Sequence, residues 1–93
     1  MIRSFADKNT DKLFHSRRVR SFPPDIIDRT RKKMLSLNAA ASLDELRNPP
    51  SNRLEILRGD REGQYSIRIN DQWRLCFRWS DGDAYDVEIV DYH

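Results

Sequence analysis

The final three residues of the 93-residue sequence, Asp91, Tyr92 and His93, place a carboxylate, a phenol and an imidazole side by side. An imidazole exchanges protons near neutral pH, a carboxylate can orient it, and a phenol ring can stack on a flat substrate. Chain ends usually fray, so a strand that ends on these residues by chance carries about equal weight. The triplet indicates acid–base chemistry only if further groups converge on it.

Arginine supplies the second group that could do chemistry. It accounts for 13 of the 17 cations, and its planar guanidinium binds phosphate through paired donors. In a sheet built from the C-terminal half, Arg68, Arg74 and Arg78 share one face and repel each other unless anions or acids lie between them. This pattern favours a phosphate-binding face over a surface of weak exposed ion pairs, and it fits RNA or a protein partner. The other polar residues of that face are Ser66, Asn70 and Glu88, and the acids available for pairing are Glu55, Asp86 and Glu88.

Four strands are predicted to position these arginines. From residue 53 onward apolar side chains recur at every second position, which is the period of a strand, and polar or glycine-containing turns separate the repeats. The predicted strands cover 54–57, 65–69, 73–79 and 85–91 and form an antiparallel meander. One face of this sheet is apolar and can be covered by helices. Its residues are Tyr65, Ile67, Ile69, Trp73, Leu75, Phe77 and Trp79.

Two helices are predicted to precede the sheet. Residues 1–5 read as a short strand with Ile2 and Phe5 on opposite faces. Asp7 and Asn9 can cap a first helix that ends near Arg17. A second helix begins at a pair of prolines, because proline suits the first helical turn. This helix buries one stripe, which comprises Ile27, Thr30, Met34, Leu37 and Ala41.

The second helix also carries four cations, mostly away from its apolar stripe. Helix faces exposed to water are normally charged, so a solvated surface is the favoured interpretation, and contact with RNA or an acidic partner is the alternative. No catalytic role is assigned to this group, which consists of Arg29, Arg31, Lys32 and Lys33.

Length and composition indicate one domain over residues 1–93, because single cores typically take roughly 50 to 200 residues. The net charge of +2 identifies no class of partner. The single cysteine, Cys76, is expected to be an inert thiol, and no Cys/His spacing suits zinc, so we expect neither a metal nor a cofactor. Because no signal peptide or membrane-spanning run is recognisable, we expect a cytoplasmic protein.

Three motifs in combination carry a resemblance that extends over essentially the whole chain. They are GDREG at 59–63, NDQWRLCF at 70–77 and the terminal DYH at 91–93. Together they resemble the HigB-type toxins of the RelE/ParE toxin–antitoxin superfamily. The resemblance implies an α+β fold of the RelE-like microbial RNase type, with two N-terminal helices packed on a mainly antiparallel four- to five-stranded sheet. It further implies a ribosome-dependent mRNA endoribonuclease that acts in the 30S A site and is inhibited by a HigA-type helix-turn-helix antitoxin.

The resemblance also assigns residues. Asp91, Tyr92 and His93 match the C-terminal catalytic residues of the family, and Arg74 matches the arginine of its W-R strand motif. Some members have a histidine where this chain has Glu55, whereas the YoeB type pairs a glutamate with arginine and histidine, a set that Glu55 would restore. The residues predicted to bind RNA phosphates are Arg58, Arg68 and Arg78.

The mechanism that these assignments suggest is a metal-free transesterification. Glu55 would accept the proton of the attacking 2′-hydroxyl, Arg74 would stabilise the charge of the transition state, and His93 would protonate the departing 5′-oxygen. Asp91 would orient His93, and Tyr92 would position a base.

Two alternatives and one geometric difficulty accompany this hypothesis. The same fold could belong to a ParE-like toxin that inhibits DNA gyrase without cutting RNA, or to a module that only binds. In addition, alternation from Val87 and Ile89 places Asp91 and His93 toward the apolar face. A bend or bulge near the end of the last strand is therefore required for the site to form.

Overall fold

The N-terminal third of the protein is helical. In the computed structural model, which describes residues 1–15 and 19–92, helix α1 covers Lys8–Phe14 and helix α2 covers Pro24–Ala39. As predicted, the Asp7 side chain caps α1, and it accepts a hydrogen bond of 2.7 Å from the Thr10 backbone N–H. Helix α1 ends at Phe14, earlier than the predicted end near Arg17. Within the described residues, no helix is long and apolar enough to cross a membrane.

Helix α2 packs a stripe slightly different from the predicted one. Ile26 rather than Ile27 is its first fully buried apolar residue, and Ile27 is only partly buried. The helix ends before Ala41, which is exposed, so that Ala40 enters the core instead. The buried residues of α2 follow steps of three and four, as a helix facing a core requires, and are Ile26, Thr30, Met34 and Leu37.

The C-terminal half forms the predicted antiparallel meander. Strands β1 (Glu55–Ile56), β2 (Tyr65–Arg68), β3 (Trp73–Ser80) and β4 (Asp83–Asp91) lie in the order β1-β2-β3-β4. Short 3₁₀ helices precede and interrupt the meander at Leu43–Arg47, Pro50–Asn52 and Gly59–Arg61. The two helices cover one face of this sheet, so the predicted α+β class with four strands is confirmed.

The N-terminal segment differs from its prediction. Residues 1–5 run parallel to β4 without forming a strand, and two isolated bridges join Ile2 to Ala84 and Phe5 to Val87. The prediction that Ile2 and Phe5 face opposite ways is wrong, because both side chains pack against the core.

The apolar face of the sheet contains the residues that alternation predicts. Ile67, Leu75 and Phe77 are completely buried, and Trp73 and Trp79 pack at the margin of the same core. These residues define the face that the helices cover. Because side chains alternate along a strand, the residues between them lie on the opposite face, which can be polar.

A β-bulge on β4 shifts the register of its pairing with β3 by one residue, halfway along the strand. Cys76 pairs with Glu88 but Arg78 pairs with Tyr85, which leaves one extra residue on β4. The bulge includes Asp86, whose φ of 53° is in the left-handed region. From Glu88 to Asp91 the pairing is regular. Up to Asp91, therefore, the strand has no bend or bulge of the kind that the site requires, because the irregularity lies further upstream.

Candidate active site

A polar cleft of about 290 Å³ opens on the face of the sheet that the helices leave uncovered. It lies at the first residue of β1, between the loop before β1 and the turn that joins β2 to β3. Groups from β1, β2, β3 and the chain that follows β4 therefore meet at the cleft. The residues that line it are Arg53, Glu55, Arg68, Asn70, Asp71, Arg74 and Tyr92.

Arg74 lies at the floor of the cleft and is held in a fixed orientation. It is only 8% exposed. Its Nε donates to Ser66 Oγ at 2.7 Å, and its NH2 donates to the Arg53 carbonyl at 2.6 Å and to the Ser66 carbonyl at 3.4 Å. A buried guanidinium requires such partners for its five donors. These three contacts leave NH1 directed toward Glu55.

Glu55 forms the side of the cleft contributed by β1. One of its carboxylate oxygens lies 3.6 Å from Arg74 NH1, which is an ion-pair distance but longer than a hydrogen bond. The Glu55 side chain is 54% exposed. The carboxylate is thus close to a fixed positive charge and still open to a molecule that enters the cleft.

Arg68 faces Arg74 directly across the β2–β3 pair. Its NH2 group donates to the Asp71 carboxylate, which is almost fully exposed. Two guanidinium groups therefore adjoin the same cleft, and each has a carboxylate beside it. Such an arrangement can bind a phosphodiester through charge-assisted hydrogen bonds.

The turn between β2 and β3 is joined to the end of β4. Asn70 Oδ1 accepts 2.8 Å hydrogen bonds from the backbone N–H groups of Gln72 and Trp73. Gln72 in turn accepts a 2.6 Å bond at its carbonyl from the Tyr92 N–H, and its amide donates to Asp91 Oδ2 at 3.1 Å. Gln72 thereby fixes the position of the last described residues relative to the cleft.

Tyr92 and Asp91 lie on different sides of the sheet. Tyr92 lines the cleft, whereas Asp91 pairs with Trp73 and does not line it. The difference follows from regular alternation at the end of β4. His93, the third residue of the predicted set, lies outside the described residues.

The Tyr92 phenol interacts with the buried thiol of Cys76 on β3. Burial raises the pKa of the Tyr92 phenol, and its interaction with Cys76 raises it further. Cys76 is completely buried, and burial raises the pKa of its thiol despite the nearby guanidinium of Arg61. Both groups are therefore neutral at physiological pH, as expected for an inert cysteine.

Arg78 and Arg58, two of the predicted phosphate ligands, do not line the cleft. Arg78 Nε lies 3.4 Å from Asp86, one of the acids proposed to balance the arginine face. Arg58 is exposed and precedes a 3₁₀ helix. Of the seven predicted site residues that the structure describes, it brings together four, which are Glu55, Arg68, Arg74 and Tyr92.

Three contributors to this region had no assigned role in the sequence. Arg53 provides a carbonyl to Arg74 from a left-handed backbone conformation, with a φ of 44°. Asp71 pairs with Arg68, and Gln72 connects the turn to β4. All three lie in loops beside predicted strand ends, where polar residues are normal and give no distinguishing signal.

Comparison with known proteins identifies the family. Residues 3–93 match the model of the HigB-like toxins, described as the RelE-like toxin of the type II toxin–antitoxin system HigB. The chain belongs to this family. The predicted HigB-type resemblance is therefore confirmed.

Two curated relatives of this HigB-like toxin span almost its full length. The Endoribonuclease HigB of Proteus vulgaris is 36% identical over 93 residues, which cover 100% of both chains. The Toxin HigB-1 of Vibrio cholerae is 40% identical over 90 residues, which cover 96% of this chain and 95% of the relative.

Two solved structures share the fold. The YoeB-YefM complex from Staphylococcus aureus contains a chain with a TM-score of 0.58 and 15% identity, covering 100% of this chain and 98% of that one. A YoeB/ParE toxin from Agrobacterium tumefaciens has a TM-score of 0.52 and 19% identity, covering 99% of this chain and 96% of that one. These neighbours confirm the RelE-like architecture.

Proposed function

We propose that this HigB-like toxin is an mRNA endoribonuclease, the toxic component of a type II toxin–antitoxin system. The observation that carries the proposal is the cleft in which the buried guanidinium of Arg74 lies opposite the exposed carboxylate of Glu55. A relative that matches the whole chain is named an endoribonuclease. The family and the cleft together favour RNA cleavage over the ParE-like inhibition of gyrase that we considered as an alternative.

The chemistry that suits this cleft is attack by the 2′-hydroxyl of the RNA on the adjacent phosphorus. Glu55 would accept the hydroxyl proton as the new O–P bond forms. Arg74, with Arg68 on the neighbouring strand, would stabilise the additional negative charge on the phosphoryl oxygens. A guanidinium that is already fixed by protein contacts stabilises this charge without reorganising during the reaction.

The C-terminal residues would complete the reaction. In the proposed mechanism His93 protonates the 5′-oxygen as its bond to phosphorus breaks, and Asp91 orients the imidazole. Because Asp91 lies on the side of the sheet away from the cleft, this proposal requires the chain to turn beyond Tyr92. Tyr92, as a neutral phenol at the rim of the cleft, would stack on or position a base. The products would be a 2′,3′-cyclic phosphate and a 5′-hydroxyl end.

The wider setting of the reaction rests on the family resemblance. We propose that the substrate is mRNA in the A site of the 30S ribosomal subunit, so that the protein acts in the cytoplasm. The type II family implies an antitoxin, and we propose one of the HigA helix-turn-helix type. Arg58 and Arg78, which lie outside the cleft, would contact only RNA phosphates away from the scissile one.

The decisive experiment compares RNA ends and DNA topology after induction of the toxin. Mapping of mRNA 5′ ends should reveal new 5′-hydroxyl termini in cells that express the wild-type chain and none with the variant His93→Ala. A plasmid supercoiling assay on the same cells should show no change. Altered supercoiling without new RNA ends would instead establish the ParE-like function. An all-deoxy substrate should resist cleavage, because it lacks the nucleophile.

A further inference from the structure

Two cations of α2 reach the wall of the cleft. Arg29 NH1 donates to the carbonyl of Ile69 at 3.3 Å, and Lys33 Nζ donates to Asn52 Oδ1. Ile69 lies between two residues that line the cleft, and Asn52 directly precedes Arg53, which also lines it. Both helix cations are therefore attached to the loops that form the cleft.

The partner of Lys33 is itself held in place. Asn52 is 1% exposed, and its Nδ2 donates to the carbonyl of Leu46 at 3.1 Å and to that of Asn48 at 3.2 Å. Because both donors of the amide are engaged, its oxygen is the atom presented to Lys33. The ammonium group of Lys33 is thus positioned by a buried side chain.

Strand β1 does not extend to the part of β2 that carries Arg68, and the 3₁₀ helix Pro50–Asn52 adjoins β2 instead. Strand β1 pairs with β2 only at Ser66 and Tyr65, so Arg68 lies opposite the chain that precedes Glu55. Helix α2 approaches this region through the bond of Lys33 to Asn52 and that of Arg29 to Ile69. In agreement, burial lowers the pKa of Lys33, and the charges of Arg29 and Arg68 lower it further.

Positive charge predominates in this region. Among the described residues of the cleft and its wall, only two carboxylates, those of Glu55 and Asp71, accompany five cations. Like charges held close together favour the binding of an anion between them. The cations are Arg29, Lys33, Arg53, Arg68 and Arg74.

The other two cations of α2 have different surroundings. Arg31 Nε donates to the carbonyl of Leu13 at 3.2 Å and so joins α2 to α1. Lys32 is exposed. The basic face that the sequence predicted as one solvated group is therefore divided, and only Arg29 and Lys33 adjoin the cleft.

We infer that Arg29 and Lys33 bind an RNA phosphate next to the scissile one. The RNA backbone would leave the cleft beside Arg68, where β1 does not pair with β2, and continue along α2. The inference rests on the proposed function and extends it by a second phosphate site. Neither residue takes part in proton transfer, so their contribution is to substrate binding.

NMR titration of the ¹⁵N-labelled protein with a non-cleavable 2′-O-methyl pentanucleotide at millimolar concentration tests the inference. Resonances of Arg29 and Lys33 should shift with the pentanucleotide, and less with a dinucleotide that has one phosphate. The variants Lys33→Gln and Arg29→Gln should bind the pentanucleotide roughly three- to tenfold more weakly, as expected for a partly exposed charged contact. The dependence of log Kd on log salt should also fall by about 0.7 for one lost phosphate contact.

Two further variants serve as controls. Lys32→Gln removes the same charge from the neighbouring exposed position and should bind as the wild type does. Lys33→Arg keeps the charge and should retain binding. If Lys33→Gln unfolds, Arg29→Gln and the wild-type shifts decide the question. Equal binding by Lys33→Gln and Lys32→Gln, or a wild-type titration without shifts at Arg29 and Lys33, would overturn the inference.

The outcome for this site is separable from the outcome for the proposed function. If cells show new RNA ends but the titration shows no phosphate binding at Lys33, only the proposed second phosphate site along α2 is refuted. If the titration shows phosphate binding at Lys33 but cells show no new RNA ends, the proposed nuclease function is refuted and the region is an anion-binding groove.

Discussion

Arg68 and Arg74 are direct partners on neighbouring strands, on the face of the sheet that the helices leave open. Like charges at paired positions destabilise a sheet, and here each is accompanied by one carboxylate, Asp71 for Arg68 and Glu55 for Arg74. Arg74 is buried and bonded to the backbone, whereas Asp71 is exposed. The pair therefore combines a fixed guanidinium with a more adaptable one, which suits a phosphate whose charge increases during reaction.

Replacement of Arg74 by lysine should abolish most of the activity even though it preserves the charge. Lysine cannot reproduce the planar contacts to Ser66 and Arg53 and cannot present a second donor to phosphate. We expect the single-turnover cleavage rate to fall roughly 10²- to 10³-fold. The matched control is Arg47→Lys, because Arg47 is exposed and pairs with Asp44 outside the cleft. A wild-type rate for Arg74→Lys would contradict the proposed role.

Substitution of Glu55 by glutamine should separate catalysis from stability. The change keeps the volume but removes the proton acceptor, so the rate should fall by about 10²- to 10⁴-fold. Because Glu55 is largely exposed, the free energy of unfolding should change by less than about 1 kcal/mol. Urea denaturation and a cleavage assay would measure both quantities. Glu62→Gln, at an exposed turn position, is the control, and comparable rates for the two variants would exclude Glu55 as the base.

The burial of Cys76 predicts slow thiol chemistry. Burial raises the pKa of Cys76 in the folded state, so at pH 8 the folded chain contains less thiolate than the unfolded chain. A disulfide reagent should therefore modify the native protein at least about tenfold more slowly than the urea-unfolded protein. Tyr92→Ala should accelerate the native reaction, and Tyr92→Phe should change it less. Equal rates in native and unfolded protein would show that Tyr92 does not shield the thiol.

The sheet was predictable because its residues obey one strong rule. Ile67, Leu75 and Phe77 alternate with polar positions, and one face of an antiparallel sheet must be apolar to pack against helices. The same alternation correctly placed Arg68 and Arg74 together on the other face. These two arginines are the part of the candidate site that follows directly from periodicity.

Other features depend on contacts that periodicity does not contain. The bulge at Asp86 changes the register between Cys76 and Arg78, and no local pattern indicated its position. Arg53 and Gln72 act through a carbonyl and a backbone–side-chain link, which are available to almost any loop residue. Loop conformation decides such contacts, so they become visible only in three dimensions.

The ion pairs of Asp83 predict a specific loss of stability in acid. The pKa of Asp83 is lowered by a hydrogen bond from the Met1 α-amino group, at 3.2 Å, and by Arg3, also at 3.2 Å. Because the folded-state pKa is below the unfolded one, the stabilisation is present above the unfolded pKa of about 3.9 and is lost as the pH falls through the folded value. The pairs join the N-terminal segment to β4, so their loss should be measurable in unfolding.

Urea denaturation between pH 6 and pH 2 should reveal this dependence. Asp83→Asn should lower stability at pH 6 and should make the decline toward pH 2 shallower, because the variant has no carboxylate to protonate. Asp81→Asn is the control from the same turn, since Asp81 is exposed and has a φ of 51°, a left-handed conformation that asparagine also tolerates. A decline in Asp83→Asn as steep as in the wild type would mean that other carboxylates cause the acid sensitivity, and that the N-terminal segment is held to β4 by its backbone bridges and apolar contacts.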